Sequence, residues 1–194
     1  MALNTITQPV EEPITLAQAK EHCRPIGTTD DNYITALIAV ARRSLEISTR
    51  RAFIEQTLEA TFDRFPCSRV IRLERPKLIS VTSITYVDAA GDTQTLAADR
   101  YTVDTKSEPG RVILNYGDIW PATGYNGNTV TITYKAGYGD AADDVEPDLR
   151  HAVKFLVGHL YANREPVAVG VSVAEIPKTL DYLWQPHEVH FNGN

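Results

Sequence analysis

The hydrophobic periodicity of the chain changes twice along its length, and this limits the folds that it can adopt. Apolar residues recur at steps of three and four between residues 31 and 51, and again between residues 146 and 164, as on one face of an amphipathic helix. The two sets are Ile34, Leu37, Ile38, Ala41 and Leu45, and then Leu149, Ala152, Val153, Leu156, Val157, Leu160 and Tyr161. We expect these two helices to pack together in one core.

The residues between the two helices are typical of antiparallel strands. Short segments rich in Thr, Val, Ile, Tyr and Phe alternate with turn residues from about residue 57 to residue 136. The predicted strands are Thr57–Phe65, Val70–Leu73, Ile79–Val87, Thr93–Leu96, Tyr101–Asp104, Arg111–Leu114 and Thr129–Lys135. This order predicts an α+β fold: a small helical bundle, formed by the N- and C-terminal helices, with an inserted antiparallel β region. We expect one domain over residues 1–194 rather than two separable domains.

The N-terminal segment combines an irregular stretch with a clear helix start. Residues 1–13 have no periodicity and include Pro9 and Pro13, which predicts a mobile arm. Thr15 and Gln18 have the spacing of a capping box, in which each side chain bonds the other residue's backbone N–H. A helix is therefore predicted over 16–23, and the N-terminal helices together span about 15–51.

Gly158 lies inside the second long helix, where glycine costs about 1 kcal/mol relative to alanine. Either of two roles accounts for a glycine at such a position. One is the close approach of another helix, and the other is a hinge.

Residues 165–194 form a C-terminal arm in this interpretation. Val167, Val169, Val171 and Val173 alternate with small residues, as in a strand, without a partner strand nearby in the sequence. The segment is either an extra strand or loop of the chain's own fold, or a strand that adds to a neighbouring subunit or partner.

A short helix predicted over 179–184 presents Leu180, Leu183 and Trp184. These residues would supply an apolar anchor for a partner, since Trp is enriched among the residues that dominate interface energies. The alternative is that they cover the chain's own helical core. The predicted contacts to a partner or to a neighbouring subunit are thus Val167, Val169, Val171, Val173, Leu180, Leu183 and Trp184.

The composition excludes several classes of protein. With 194 residues, of which 43% are hydrophobic and 23% charged, the chain has ordinary globular composition. Its net charge of −6 lacks the cationic surplus that sequence-specific nucleic-acid binding requires. No run approaches the roughly 20 apolar residues of a membrane span, and no signal segment is evident, so we expect a soluble, unsecreted chain without a membrane partner. Cys23 and Cys67 lack the spacing of a disulfide framework or a zinc site.

The sequence shows no catalytic or metal-binding motif. His151 and His159 lie eight residues apart on one predicted helix, about 12 Å by the helical rise, which is too far for one metal ion. His22, His187 and His190 have no second ligand at a useful spacing. Neither a nucleophile elbow nor a phosphate-binding loop is present. We therefore expect no enzyme activity, metal or cofactor; a hydrolase that uses carboxylates of the β region is the alternative.

Seven segments, taken in order, resemble the head-to-tail connector (adaptor) proteins of tailed bacteriophages and of phage-derived gene transfer agents. The resemblance extends from about residue 14 to residue 183, and it rests on the series of segments rather than on any one of them. The segments are Ile14–Lys20, Asp31–Ile38, Asp63–Pro66, Val81–Val87, Ser107–Arg111, Ala136–Gly139 and His159–Glu165.

This resemblance implies a structural virion protein. Subunits of that family form a dodecameric ring beneath the portal protein, which extends the DNA conduit toward the tail, and stopper or tail proteins bind below it. The resemblance implies that the C-terminal segment reaches the portal, and that DNA passes through the lumen without sequence-specific binding. It also implies a location in the head-tail neck, with assembly in the host bacterial cytoplasm. Another neck or tail-completion (stopper) module is the alternative of the same class.

Overall fold

A computed structural model of the chain describes residues 2–124, 126–164 and 178–190. The described residues form two compact units. The helical unit draws on Val10–Ile54 and Tyr138–His190, and the β unit draws on Met1–Pro9 and Glu55–Gly137. The main segment of the β unit therefore lies, in the sequence, between the two halves of the helical unit. The prediction of a single domain stays a prediction.

Helices and antiparallel strands are both present, so the predicted α+β class is confirmed. The helices are α1 (Leu16–Cys23), α2 (Asp31–Thr49), α3 (Pro147–Ala162) and α4 (Lys178–Trp184). The strands are β1 (Ala2–Thr7), β2 (Gln56–Phe62), β3 (Val70–Arg72), β4 (Leu78–Val87), β5 (Thr93–Thr95), β6 (Tyr101–Asp104), β7 (Arg111–Leu114) and β8 (Val130–Ala136). Single turns of 3-10 helix span Ala98–Arg100, Ala142–Asp144 and Gln185–His187.

Local hydrogen bonds fix the ends of α1 and α2. The Gln18 backbone N–H donates to the Thr15 hydroxyl at 3.2 Å, and the Thr15 N–H donates to Gln18 Oε1 at 3.1 Å. This capping box and the predicted bounds of α1 are confirmed. Helix α2 ends at Thr49, slightly before the predicted end near residue 51, because Arg50 adopts a left-handed conformation with φ of 56° and its N–H bonds to the carbonyl of Ile47.

All four helices contribute to one buried core in the helical unit. The two long helices share this core, as the spacing of their apolar residues predicts. Its buried members on α2 are Ile34, Leu37, Ile38, Ala41 and Leu45, and those on α3 are Leu149, Ala152, Val153, Leu156 and Val157. Gly158 allows the close approach of α1, because an added Cβ would lie 2.8 Å from Cδ2 of His22.

The β unit contains two antiparallel sheets, with strand orders β1-β2-β8-β4-β5 and β3-β7-β6. Strand β8 is central in the larger sheet and pairs with β2 on one side and β4 on the other, so that Tyr134 lies opposite Leu58 and Ile132 opposite Ile84. Every second residue of β8 is buried, which leaves one face of the strand directed into the core. The buried Tyr134 donates its hydroxyl to the carbonyl of Glu74 at 2.8 Å.

The first residues of the chain form strand β1 rather than part of the predicted mobile arm. Residues 2–7 pair antiparallel with β2, from Ala2 opposite Thr61 to Thr7 opposite Thr57. Their side chains remain mostly exposed, so the strand needs no apolar alternation and gives no periodic signal. Backbone hydrogen bonds to β2, a partner some fifty residues away in the sequence, define it instead.

The other predicted strands are present with small shifts at their ends. Strands β6 and β7 have the predicted bounds, whereas β2 ends at Phe62 rather than residue 65. The chain turns there because Asp63 accepts hydrogen bonds from the backbone of Asn128 at 3.1 Å and the hydroxyl of Thr129 at 2.6 Å. Within the described ranges, no helix has the length and apolar character needed to cross a bilayer.

Candidate functional site

Two histidines of the described residues take part in aromatic packing. His22 and His151 both contact the ring of Phe155 edge-on, with centroid distances of 5.4 and 4.8 Å. Burial raises the pKa of the Cys23 thiol, which disfavours the reactive thiolate. In the part of the chain that the structure describes, no three His, Cys, Asp or Glu side chains converge as a metal site would require.

A buried ion pair fixes the middle of α2. Arg42 Nη1 donates to Oε2 of Glu46 at 2.9 Å, one turn further along the helix. Arg42 Nε also donates to Oε2 of Glu12 at 2.8 Å, and the backbone N–H of Phe53 donates to Oε1 of Glu46 at 2.8 Å. Burial lowers the pKa of Arg42, but the hydrogen bond to Glu12 and the charges of Glu46 and Glu12 outweigh it and raise the pKa overall. The pair therefore ties three segments of the helical unit together.

A second polar cluster connects the end of α3 with the start of α2. Asp30 Oδ2 accepts hydrogen bonds from the hydroxyl of Tyr161 at 2.6 Å and from Nη2 of Arg164 at 2.7 Å. These two bonds lower the pKa of Asp30, and the bond to Asp30 raises the pKa of Tyr161. The Arg164 guanidinium also lies 4.9 and 4.7 Å from the ring centroids of Tyr33 and Tyr161, a cation–π arrangement. Sequence reasoning missed this cluster because its members lie more than 130 residues apart.

The structure places the predicted partner contacts of α4 against the chain's own core. Leu180 is only 5% exposed and belongs to the helical core, and Leu183 and Trp184 pack on that core while remaining partly exposed. Trp184 Nε1 donates to Oδ1 of Asp181 at 3.2 Å. Leu180 therefore covers the chain's own helical core, as the alternative prediction states. A partner contact through Leu183 and Trp184 stays a prediction. Val167, Val169, Val171 and Val173 lie outside the described residues.

The side of α2 that faces away from the core carries a line of uncharged residues. Tyr33, Val40 and Ile47 lie seven residues apart and are 37%, 54% and 58% exposed. Two small exposed residues lie between them on the same side of the helix, and the five together are called the α2 stripe: Tyr33, Ala36, Val40, Ser44 and Ile47. Isolated exposed apolar residues are common on protein surfaces, but a line of them along a helix is the pattern of a contact seam.

The β unit exposes two apolar side chains in the segment that follows β7. Tyr116 and Ile119 point into solvent, although the segment itself is held in place. Trp120 stacks on Phe65 with a centroid distance of 4.8 Å and an interplanar angle of 5°, and its Nε1 donates to the carbonyl of Ser68 at 2.8 Å. This segment is thus a second ordered surface with exposed apolar groups.

No protein-family model and no curated protein matches the chain. Chains of similar fold occur in solved structures. A chain in the neck of the empty gene transfer agent (GTA) particle, computed with C6 symmetry, is 22% identical with a TM-score of 0.82. A chain in the virion of the native GTA particle is 24% identical with a TM-score of 0.80, and one in the native GTA neck computed with C12 symmetry is 24% identical with a TM-score of 0.77. Each alignment covers 100% of this chain and 99% of the other. At these identities the likeness establishes a shared fold.

Proposed function

We propose that this chain is a head-to-tail connector (adaptor), a structural virion protein that forms a homo-oligomeric ring in the neck of a phage or phage-derived particle. The likeness in fold to GTA neck and virion chains, with TM-scores from 0.77 to 0.82, carries the proposal. It spans both the helical unit and the β unit, since each alignment covers the whole chain. In this assignment the helical unit is the bundle of the connector and the β unit is its inserted region.

The symmetry of the similar particles supports a ring of twelve subunits. One of the similar necks was computed with C12 symmetry and another with C6 symmetry, both of which a ring of twelve copies can satisfy. A closed cyclic ring uses two different patches on each subunit, so that every contact is heterologous. The proposed assembly is therefore a dodecamer with two distinct interface surfaces per chain.

The charge of the chain suits a conduit for DNA. A wall along which DNA slides must not hold its phosphates, and strong phosphate binding depends on cations that release counterions. The chain carries 25 acidic and 19 basic residues, a net charge of −6. DNA passing through the lumen would therefore meet a ring without a net positive charge.

The titratable groups of the described residues support a structural role rather than an enzymatic one. Several groups with displaced pKa values lie in contacts that fix secondary-structure elements. At the turn between β6 and β7, for example, the hydroxyl of Ser107 and the guanidinium of Arg111 donate to Asp104 Oδ2 at 2.6 Å each and hold the pKa of Asp104 far below its usual range. The proposal accordingly includes no cofactor and no catalytic residue.

The portal protein is the proposed partner above the ring, and stopper or tail proteins are the partners below it. We assign the portal contact to the valines at 167, 169, 171 and 173, together with the partly exposed Leu183 and Trp184. Leu180 would act from within the core by holding α4 in place. The ring would be assembled in the host bacterial cytoplasm and remain in the neck of the virion.

The order of assembly tests the connector assignment. Purified chain is mixed with the portal ring of its own particle, and the complexes are imaged by cryo-electron microscopy. A connector binds the bare portal as a ring in register with it. A stopper would bind only after another neck protein has been added, and that result would replace the connector role with the stopper role.

A further inference from the structure

The α2 stripe has the geometry of one half of an interface. Tyr33, Val40 and Ile47 repeat every seven residues over four turns, a length of about 21 Å. Side chains at this spacing stay in line along a packed partner, and the small Ala36 and Ser44 between them permit a close approach. The opposite side of α2 already packs in the helical core, so the stripe faces outward from the unit.

Two cations flank the stripe. Arg43 and Arg50 are exposed, and their guanidinium groups form no ion pair with the residues that the structure describes. Arg42, next to them in the sequence, is buried and paired with Glu46. The stripe is therefore an apolar line with unneutralised positive charge toward its C-terminal end.

The same unit exposes carboxylates at the corresponding end. Asp148 lies in the first turn of α3 and is 67% exposed, and the exposed Asp140 has no ion pair among the described residues. The segment of residues 185–190 places this end of α3 beside the end of α2. His187 Nε2 lies 3.6 Å from Asp148 Oδ2, and the His187 carbonyl accepts from Arg51 Nε at 2.5 Å. Exposed cations and exposed carboxylates thus lie at one end of the helical unit.

We propose that the α2 stripe binds a second copy of this chain, which presents the acidic surface of Asp140 and Asp148 to Arg43 and Arg50. In a ring whose subunits stand side by side, groups at the same end of the helical unit lie at the same height. The cations of one subunit can therefore contact the carboxylates of its neighbour. A chain with a net charge of −6 is, moreover, a charge-complementary partner for its own basic edge. The inference rests on the proposed ring and identifies the two different patches that a cyclic interface requires.

Two variants with complementary defects test the pairing. The stripe variant Val40→Asp with Ile47→Asp places charges in the apolar seam, and the acidic-face variant Asp140→Arg with Asp148→Arg places cations opposite Arg43 and Arg50. Ile26→Asp is the matched control, because Ile26 is 97% exposed and lies outside the stripe. Circular dichroism melts verify that each variant is folded. Assembly is followed by sedimentation velocity and electron microscopy under the conditions in which the wild type forms rings.

Each double variant alone is expected to need at least about a tenfold higher concentration for assembly, a loss of about 1.4 kcal/mol, while Ile26→Asp assembles normally. In a 1:1 mixture, the intact acidic face of the stripe variant can bind the intact stripe of the acidic-face variant. The two surfaces that remain are both altered, so the mixture forms dimers but no rings. Rings from either double variant at the concentration at which the wild type assembles, or no dimers from the mixture, overturn the inference and leave the proposed function standing. A wild type that forms no ring, alone or with its portal, overturns the proposed function and this inference with it.

Discussion

Arg42 and Glu46 form an ion pair within a single helix, 2.9 Å between Nη1 and Oε2, with both side chains buried. Neighbours one turn apart on a helix usually meet at the surface, where such pairs contribute little. Here the pair is enclosed, and Glu46 also binds the backbone N–H of Phe53 beyond the end of α2. The pair therefore determines how the chain leaves the helix.

Replacing Arg42 by Ala should destabilise the protein by about 3 to 5 kcal/mol, because the buried Glu46 would lose the cationic partner that Arg42 supplies. Arg43→Ala is the matched control, since Arg43 is exposed and should shift stability by no more than about 0.5 kcal/mol. Urea melts followed by circular dichroism measure both variants. Equal small shifts for the two would show that the buried pair does not stabilise the fold.

Helix α4 should behave as part of the helical core. Leu180→Ala is expected to cost about 2 to 5 kcal/mol, as for other large-to-small changes at buried positions. Tyr182 lies on the same helix but is 77% exposed, so Tyr182→Ala should be nearly neutral. Thermal or urea unfolding of the two variants measures the difference. If the Leu180→Ala protein is as stable as the wild type, the side chain of Leu180 does not stabilise the core, and its predicted role as a partner contact is favoured instead.

The pKa of Asp30 should lie below that of a free aspartate, about 3.9, because Tyr161 and Arg164 donate hydrogen bonds to its charged form. Since the folded-state pKa is lowered, the contribution of the cluster to stability is fully present above the unfolded pKa. It is lost as the pH falls through the folded-state pKa. NMR titration of the Asp30 carboxyl carbon gives the value directly.

Two hydroxyl deletions separate the causes of this shift. Tyr161→Phe removes a donor to Asp30 and should move the pKa of Asp30 back toward 3.9. Tyr33→Phe keeps the ring beside Arg164 and removes no bond to Asp30, so it should leave the pKa unchanged. If Tyr161→Phe has no effect, the hydrogen bond is not the cause of the shift.

Strand β1 should protect its backbone amides from hydrogen exchange. It pairs with β2 over residues 2–7 at the edge of the sheet, so the alternate amides that donate to β2 exchange only when the pairing opens. Exchange followed by NMR compares β1 with residues 26–28 of the loop between α1 and α2. If the amides of β1 exchange as fast as those of this loop, the pairing with β2 is contradicted and the mobile arm predicted from the sequence is supported.

The predictable parts of the fold are those whose causes are local. Helix α1 has its predicted bounds because Thr15 and Gln18 cap it, and the face of α2 that packs in the core follows from apolar spacing. Strand β1 was not predictable, because only its pairing with distant β2 defines it. The clustering of Asp30 with Arg164 and the burial of Leu180 depend on tertiary packing in the same way. The α2 stripe is visible in the sequence at seven-residue spacing, but only the packing of the opposite face shows that it points outward.

The mass and shape of the assembled protein test the central claim most directly. Native mass spectrometry and electron microscopy are applied to the purified chain over a range of concentrations, alone and with its portal. The account predicts closed rings with a mass twelve times that of the 21.5 kDa subunit, appearing steeply as concentration rises or as portal is added. A chain that stays monomeric at high concentration and also in the presence of the portal would contradict it.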